Sequence, residues 1–428
     1  MRDPVSERFE KLFGPEFGHG KPLELDTLSR ALEALGSPHT NLPPVIHVAG
    51  TNGKGSTIAF MRAIAESAGL KVHAFTKPHL FRLNERFVVS SALASDEILL
   101  NAIEDVARIS LNLTNFDAQV TAAFVLFHEH HARLALIETG MGGRDDSTNV
   151  LALPAACVIT PIGFDHQEAL GATLAEIARH KAGILKPGAP AIVARQTEEA
   201  MEVIEARAVE IGAPLFRAGV AWDAYASQGR LVVQTETRAL DLPLPALHGR
   251  HQIDNAGLAC AALLLSDAAQ IEDAAFAAGV ENAAWPARLQ PLMRGALSAP
   301  VRVIGGEVWV DGGHNAHAAT VLARALNDMR TRRGGASIAI VGMRERKDAE
   351  GFIGALASSV ERVIAVPLAE RHIAPSTIAA LAEARGVEAS VAPSLAAAMQ
   401  NAAQLPAPRV LICGSFLLAA EALAAESV

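Results

Sequence analysis

Residues 45–57 read VIHVAGTNGKGST, an apolar run that passes through a glycine-rich loop into a segment of helical period. A run of this kind specifies a buried strand, a tight loop and a helix in that order. The glycines let the loop fold so that backbone N–H groups converge on phosphate oxygens, and the helix N-terminus adds its partial positive charge there. Lys54 is placed to neutralise terminal phosphates and the Ser56 hydroxyl to reach a bound Mg²⁺. The candidate nucleotide-binding residues are therefore Asn52, Gly53, Lys54, Gly55, Ser56 and Thr57. The spacing is not that of a standard Walker A loop, because Gly55 separates Lys54 from the hydroxyl residue.

The rest of the chain repeats this alternation of strand-length apolar runs and helical segments, which predicts an α/β protein with a mainly parallel sheet. VHAF, LALIET, AACVIT and AIVA read as further strands, and residues 28–35, 57–68 and 121–131 as helices. Residues 218–247 alternate with turn residues between, which suggests a small antiparallel excursion. Helical spacing resumes over 255–275. RVIGGEVWVDGG, SIAIVGM, RVIAVPL, ASVAPS and RVLICGS then read as strands among alanine-rich helices. The expected division is a nucleotide-binding domain over 1–287 and a smaller Rossmann-like α/β domain over 288–428.

Composition narrows the function. A formal net charge of −9 offers no general attraction to nucleic acid or anionic membrane, so an anionic substrate needs a local cluster of cations. Aromatics at 4% supply no stacking platform for single strands. The longest apolar stretch is too short to span a bilayer. The three cysteines sit in apolar runs without a CxxC, and the charged N-terminus has no apolar h-region, so the expected home is the reducing cytoplasm.

Three more segments end predicted strands, where α/β sheets bind ligands. IETGMGGRDDSTNV carries Glu138 to a strand end, with glycines that permit close backbone approach. ITPIGFDH places Asp165 and His166 at the next, and the two ends beside a nucleotide loop favour Mg²⁺ binding by Glu138 and His166. Lys181 lies on a helix beginning near Thr173 and by itself reads as a solvated residue. VWVDGGHNAHAA ends a strand in Asp311, His314 and Asn315, a loop suited to gripping a ribose, a base or an amino acid. His128-Glu129-His130-His131 lacks HExxH spacing and reads as a solvated helix end, where the dipole favours cations.

In order along the chain, PPVIHVAGTNGKGST, PHLFRLNERF, ETGMGGRDDSTNV, ITPIGFDH, IARHKAGILKPG, LHGRHQIDNA, WPARLQ and VDGGHNAHAA together resemble the folylpolyglutamate synthase/dihydrofolate synthase family of Mur ligases. The resemblance implies an ATP-dependent ligase that joins L-glutamate to dihydropteroate or a folate through an acyl phosphate, with ATP in a cleft between two domains. It implies that Asn255, Arg288 and Asp311 contact ATP from the far side of that cleft, and that Ser56, Glu138 and His166 hold Mg²⁺. It further implies that Lys181 is carbamylated, that His314 positions glutamate, and that Phe116, Asp117 and Asp146 lie where the pterin-bearing substrate sits. Lys54, Lys181 and His314 are the expected catalytic set, in a monomer whose partners are small molecules only.

The chain departs from the family pattern in places. Lys77 stands where a serine hydroxyl usually meets Mg²⁺, Asp117 and Val120 stand in a substrate segment, Ala287 replaces a glycine, and GSFLL lacks a tyrosine. A Mur-type paralogue acting on another carboxylate, and a nucleotide-binding protein with weak catalysis, stay open on these residues.

Overall fold

A computed structural model describes residues 3–15, 25–266 and 268–427. The chain divides into two compact units, Met1–Ala246 with Gln252–Ala284, and Leu247–His251 with Trp285–Val428.

The first unit is built on β1 (Val45–Ala49), β2 (Val72–Phe75), β3 (Phe87–Val89), β4 (Ala92–Leu93), β5 (Leu134–Glu138), β6 (Ala156–Ile159), β7 (Ala191–Val193) and β8 (Leu215–Arg217). Their order across the sheet is β4-β3-β2-β5-β1-β6-β7-β8. All pairs from β2 to β8 are parallel, and the short β3–β4 ribbon adds an antiparallel edge. β1 and β5 are buried at every position, as expected of strands covered on both faces. Because β1 lies between β5 and β6, with Val48 opposite Glu138 and Ala49 opposite Ile159, their carboxyl ends open onto one edge. The loop after β1 therefore lies beside Glu138 and Thr160. The β3–β4 ribbon was not anticipated from the sequence, since its strands are too short to show a period.

β9 (Trp222–Ser227), β10 (Arg230–Thr235) and β11 (Ala239–Pro243) form the antiparallel excursion. The helical pattern after it resolves into two helices, His251–Leu265 and Asp273–Asn282.

The second unit holds β12 (Gln290–Pro291), β13 (Glu307–Val310), β14 (Ser337–Val341), β15 (Arg362–Ala365), β16 (Glu388–Val391) and β17 (Arg409–Cys413), in the order β12-β13-β17-β14-β15-β16. Every pair but β12–β13 is parallel. One expected strand is shorter than predicted. The apolar residues ahead of β13 begin as a helical turn, Ala299–Arg302, with Pro300 where its fixed φ suits a first turn, and Gly305 (φ 79°) reverses the chain before the strand. The three cysteines are free and buried. Among the described residues no helix is long and apolar enough to cross a membrane.

Candidate active site

Two glycines shape the loop after β1. Gly50 (φ 144°) leaves no room for a Cβ, which would sit 1.9 Å from Thr160 Oγ1, and Gly53 (φ 89°) is the left-handed cap of helix Lys54–Ser67. No side chain caps that helix, so its first N–H groups are not taken up by a capping residue. Lys54 folds back over the loop, donating to Gly50 O (3.1 Å) and Thr51 O (3.2 Å), with Glu138 Oε1 at 3.8 Å. Thr51 Oγ1 donates to Gly163 O and accepts from Gly163 N–H, both at 3.0 Å, which ties the loop to the segment after β6. The buried hydroxyls of Thr57 and Thr160 have no partner among the described residues, although both sit at the loop. Buried hydroxyls without partners are rare unless a ligand completes them.

Lys181, the last residue of helix Leu174–Lys181, is buried and donates to Gly50 O at 2.8 Å. Burial, and then the Lys54 charge, pull its pKa down to about 7, against a smaller opposing pull from Asp165 and Asp146. The sequence alone made it a solvated helix residue. Its burial follows from packing the end of that helix under the loop.

Asn255 does not lie across a cleft from this loop. It belongs to the same unit, on helix His251–Leu265, where its Oδ1 would be 2.5 Å from a Cβ at Gly53. Asn255 Nδ2 donates to Gln252 Oε1 (2.9 Å), and Gln252 Nε2 reaches Ser56 Oγ at 3.5 Å. Gln252 is thus part of the loop's wall, a residue the motif reading did not single out.

Glu138 is buried at the end of β5, with Oε2 accepting the Lys77 N–H at 3.1 Å. His166 is in left-handed conformation (φ 53°) and half exposed, its Nε2 3.9 Å from Asp165 Oδ2. Among the described residues no three His, Cys, Asp or Glu side chains gather as a metal cluster. Of the expected metal ligands, Ser56 and Glu138 lie at the loop, through Gln252 and Lys54 respectively, and His166 lies past the end of β6, at the N-cap of helix Gln167–Leu170.

Beside Glu138 lies a second group. Phe116 packs on Gly140, and Lys77 Nζ sits 4.9 Å from the centre of the Phe116 ring. Asp117 is committed locally: its Oδ2 accepts Thr114 N–H (3.0 Å) and Oγ1 (2.6 Å), closing a capping box, and its Oδ1 accepts Ser147 Oγ (2.6 Å). Asp146 is buried with Oδ1 on Thr148 N–H (3.0 Å) and Oγ1 (2.6 Å) and Oδ2 on Met141 N–H (2.7 Å). These two carboxylates shape the glycine loop and the start of helix Asn115–Glu129. Behind them His47, fully buried in β1, donates from Nε2 to Thr148 Oγ1 (2.8 Å), since that hydroxyl's proton goes to Asp146. Burial lowers the His47 pKa to about 3, so the ring is neutral.

The second unit carries its own group at the ends of β13 and β17. Asp311 accepts Leu289 N–H (2.8 Å) and Gly313 N–H (2.6 Å). His314 Nδ1 donates to Gly312 O (2.9 Å). Asn315 caps helix Ala316–Arg332, accepting Ala318 N–H at 2.8 Å. Arg288 lies over the Phe416 ring, 4.9 Å from its centre, and the His314 ring is 5.5 Å from it. Both neighbours of Arg288 have left-handed backbone, Ala287 at φ 56° and Leu289 at φ 42°. Non-glycine residues hold such angles only where surroundings force them, and such strain collects at functional sites. Ala287→Gly should therefore raise stability by up to about 1 kcal/mol, the relieved strain exceeding glycine's extra unfolded-state entropy. Denaturant unfolding of the two proteins checks this, and a lower midpoint for the variant would contradict it.

The Mur ligase middle domain matches residues 48–263, and the Mur ligase glutamate ligase domain matches residues 300–416. The dihydrofolate synthase/folylpolyglutamate synthase of Bacillus subtilis is 36% identical over 319 residues, covering 71% of each chain. The Escherichia coli protein of that name is 33% identical over 379 residues, covering 87% of this chain and 84% of its own. E. coli FolC in complex with DHPP and ADP superposes with a TM-score of 0.85 at 29% identity, covering 99% of this chain and 97% of that one. A bifunctional folylpolyglutamate synthase/dihydrofolate synthase solved with Mn, AMPPNP and L-glutamate bound gives a TM-score of 0.85 at 29% identity, covering 100% of this chain and 98% of that one. The chain belongs to the folylpolyglutamate synthase/dihydrofolate synthase family, and it is an ATP-dependent ligase.

Proposed function

We propose that this ligase joins L-glutamate to dihydropteroate, to folates, or to both, using ATP and a divalent cation. The observation that carries the reading is the loop Gly50–Gly53 with Lys54 and the buried Lys181 on its carbonyls, in a family whose solved members hold ADP, DHPP, AMPPNP, Mn and L-glutamate.

A carboxylate is a poor acyl donor because oxide is its leaving group. In the proposed reaction an acceptor carboxylate oxygen bonds to the γ-phosphorus of ATP, and the bond to ADP breaks. The amine of glutamate then bonds to the acyl carbon, losing a proton, and phosphate leaves. Lys54 and the N–H groups of the loop hold the polyphosphate and offset its growing charge. Ser56, Glu138 and His166 would hold a divalent cation, which would supply further charge neutralisation at the phosphates. Arg288 and Asp311 are proposed nucleotide contacts of the second unit, and His314 a glutamate contact. Phe116 offers an aromatic face to the acceptor. Asp117 and Asp146, their oxygens already engaged, hold the walls around it. If the acceptor carboxylate is labelled with ¹⁸O, one label should appear in released phosphate. Unlabelled phosphate would rule out the acyl phosphate.

Carbamylation of Lys181 is part of the proposal. CO₂ adds only to a neutral amine, and an amine with pKa about 7 is substantially neutral at physiological pH, unlike an ordinary lysine.

Lys77 bears on the metal count. Its ammonium cannot coordinate a cation, and it lies over Phe116 beside Glu138. Lys77→Ser should raise by one the Mn²⁺ ions bound with a non-hydrolysable ATP analogue, read by EPR titration. An unchanged count would show that Lys77 does not stand in for a metal.

A further inference from the structure

We propose that Phe416 is a positioning residue, whose ring holds Arg288 and His314 at a fixed spacing for nucleotide and glutamate. This rests on the reading of Arg288 and His314 given above. β17 ends at Cys413, Gly414 turns the chain (φ 99°), and its N–H donates to Gly313 O at 2.9 Å. Ser415 then caps helix Phe416–Glu426 through Leu417 N–H at 3.0 Å. Phe416 is thus the first residue of a helix whose start is pinned to the Asp311–His314 loop.

Its ring meets that region at three points. The Arg288 guanidinium carbon is 4.9 Å from the ring centre. The His314 ring is 5.5 Å away at an interplanar angle of 60°. The ring edge also lies against Gly312, where a Cβ would come within 2.5 Å of it. An arginine side chain is flexible, and an aromatic shelf that attracts the guanidinium removes much of that freedom before a ligand arrives. The imidazole is fixed by two contacts together, Gly312 O on Nδ1 and the ring on its side. The ring is only partly buried, while Leu418, Ala419, Ala422 and Leu423 supply the buried face of the helix. Its placement therefore serves Arg288 and His314 more than the core.

Phe416→Leu keeps an apolar side chain and removes the aromatic face; Phe416→Tyr keeps the face. Phe416→Leu should weaken ADP binding, measured by calorimetry, and raise KM for both ATP and glutamate by about 5-fold or more. The acceptor KM and the thermal midpoint should stay unchanged, and Phe416→Tyr should behave as the parent. Unchanged ADP affinity and KM values for Phe416→Leu would overturn the proposal, as would a lowered midpoint with all KM values shifted alike. Arg288→Ala separates the two layers. If it weakens ADP binding and Phe416→Leu does not, positioning alone fails; if Arg288→Ala has no effect, the assignment of Arg288 fails and the proposal with it. When both hold, adding Phe416→Leu to Arg288→Ala should weaken ADP binding by less than it does in the parent.

Discussion

Lys54→Ala should lower kcat by about 10²–10³-fold or more while leaving the folded chain intact, because the group it removes is proposed to bind phosphate and is not part of the core. Lys54 Nζ spends its hydrogen bonds on Gly50 O and Thr51 O, and its one near carboxylate, Glu138, is 3.8 Å away. The Gly50 carbonyl keeps Lys181 as a donor after the change. The loop itself is held by Thr51 on Gly163 and by the fit of Gly50 against Thr160. Circular dichroism and thermal midpoint should thus match the parent within error. Near-parental kcat would show that this loop does not bind the transferring phosphate.

Lys181→Met should also abolish most turnover, yet it should not lower stability. A folded-state pKa of about 7 against 10.5 means that the unfolded chain binds more protons between those values. Stability then rises with pH across that window, and below about pH 7 the full cost of burying the group is present. At ~1.4 kcal/mol per pKa unit, that cost is on the order of a few kcal/mol, which an uncharged side chain of similar shape avoids. The same sign governs activity if the amine is carbamylated: as pH falls through 7 the ammonium form grows and CO₂ addition is lost. Activity below pH 7 should be partly restored by added bicarbonate, and Lys181→Ala partly rescued by small carboxylates. A variant without either response would leave the buried amine itself as the working group. A Lys181→Met protein with a clearly lower midpoint would contradict the burial argument.

Much of this was legible because the relevant signals are local. VIHVAGTNGKGST fixes a strand, a glycine loop and a helix within thirteen residues, and β1 and helix Lys54–Ser67 form there. Glu138 was placed at a strand end by the end of its apolar run, and it is the last residue of β5; His166 instead lies past the end of β6, at the N-cap of helix Gln167–Leu170. What was not legible depends on packing between distant segments. Nothing near Lys181 in sequence says that it ends beneath Gly50, 131 residues away. Asn255 and Gln252 reach the loop only because helix His251–Leu265 packs in the first unit. The resemblance put Asp117 in the substrate segment, and in the structure its oxygens accept from Thr114 and Ser147. The Thr114-x-x-Asp117 spacing is a capping-box signal that could have shown this. Ala287 in place of glycine acquired a meaning only with its φ of 56° in hand.

The most direct test is ADP release by the purified protein with ATP, Mg²⁺ and L-glutamate, comparing dihydropteroate, tetrahydrofolate and no acceptor. Release that depends on glutamate and on at least one of the two acceptors is the expected result. ADP release indifferent to both acceptors, or none at all despite measurable ATP binding, would contradict it.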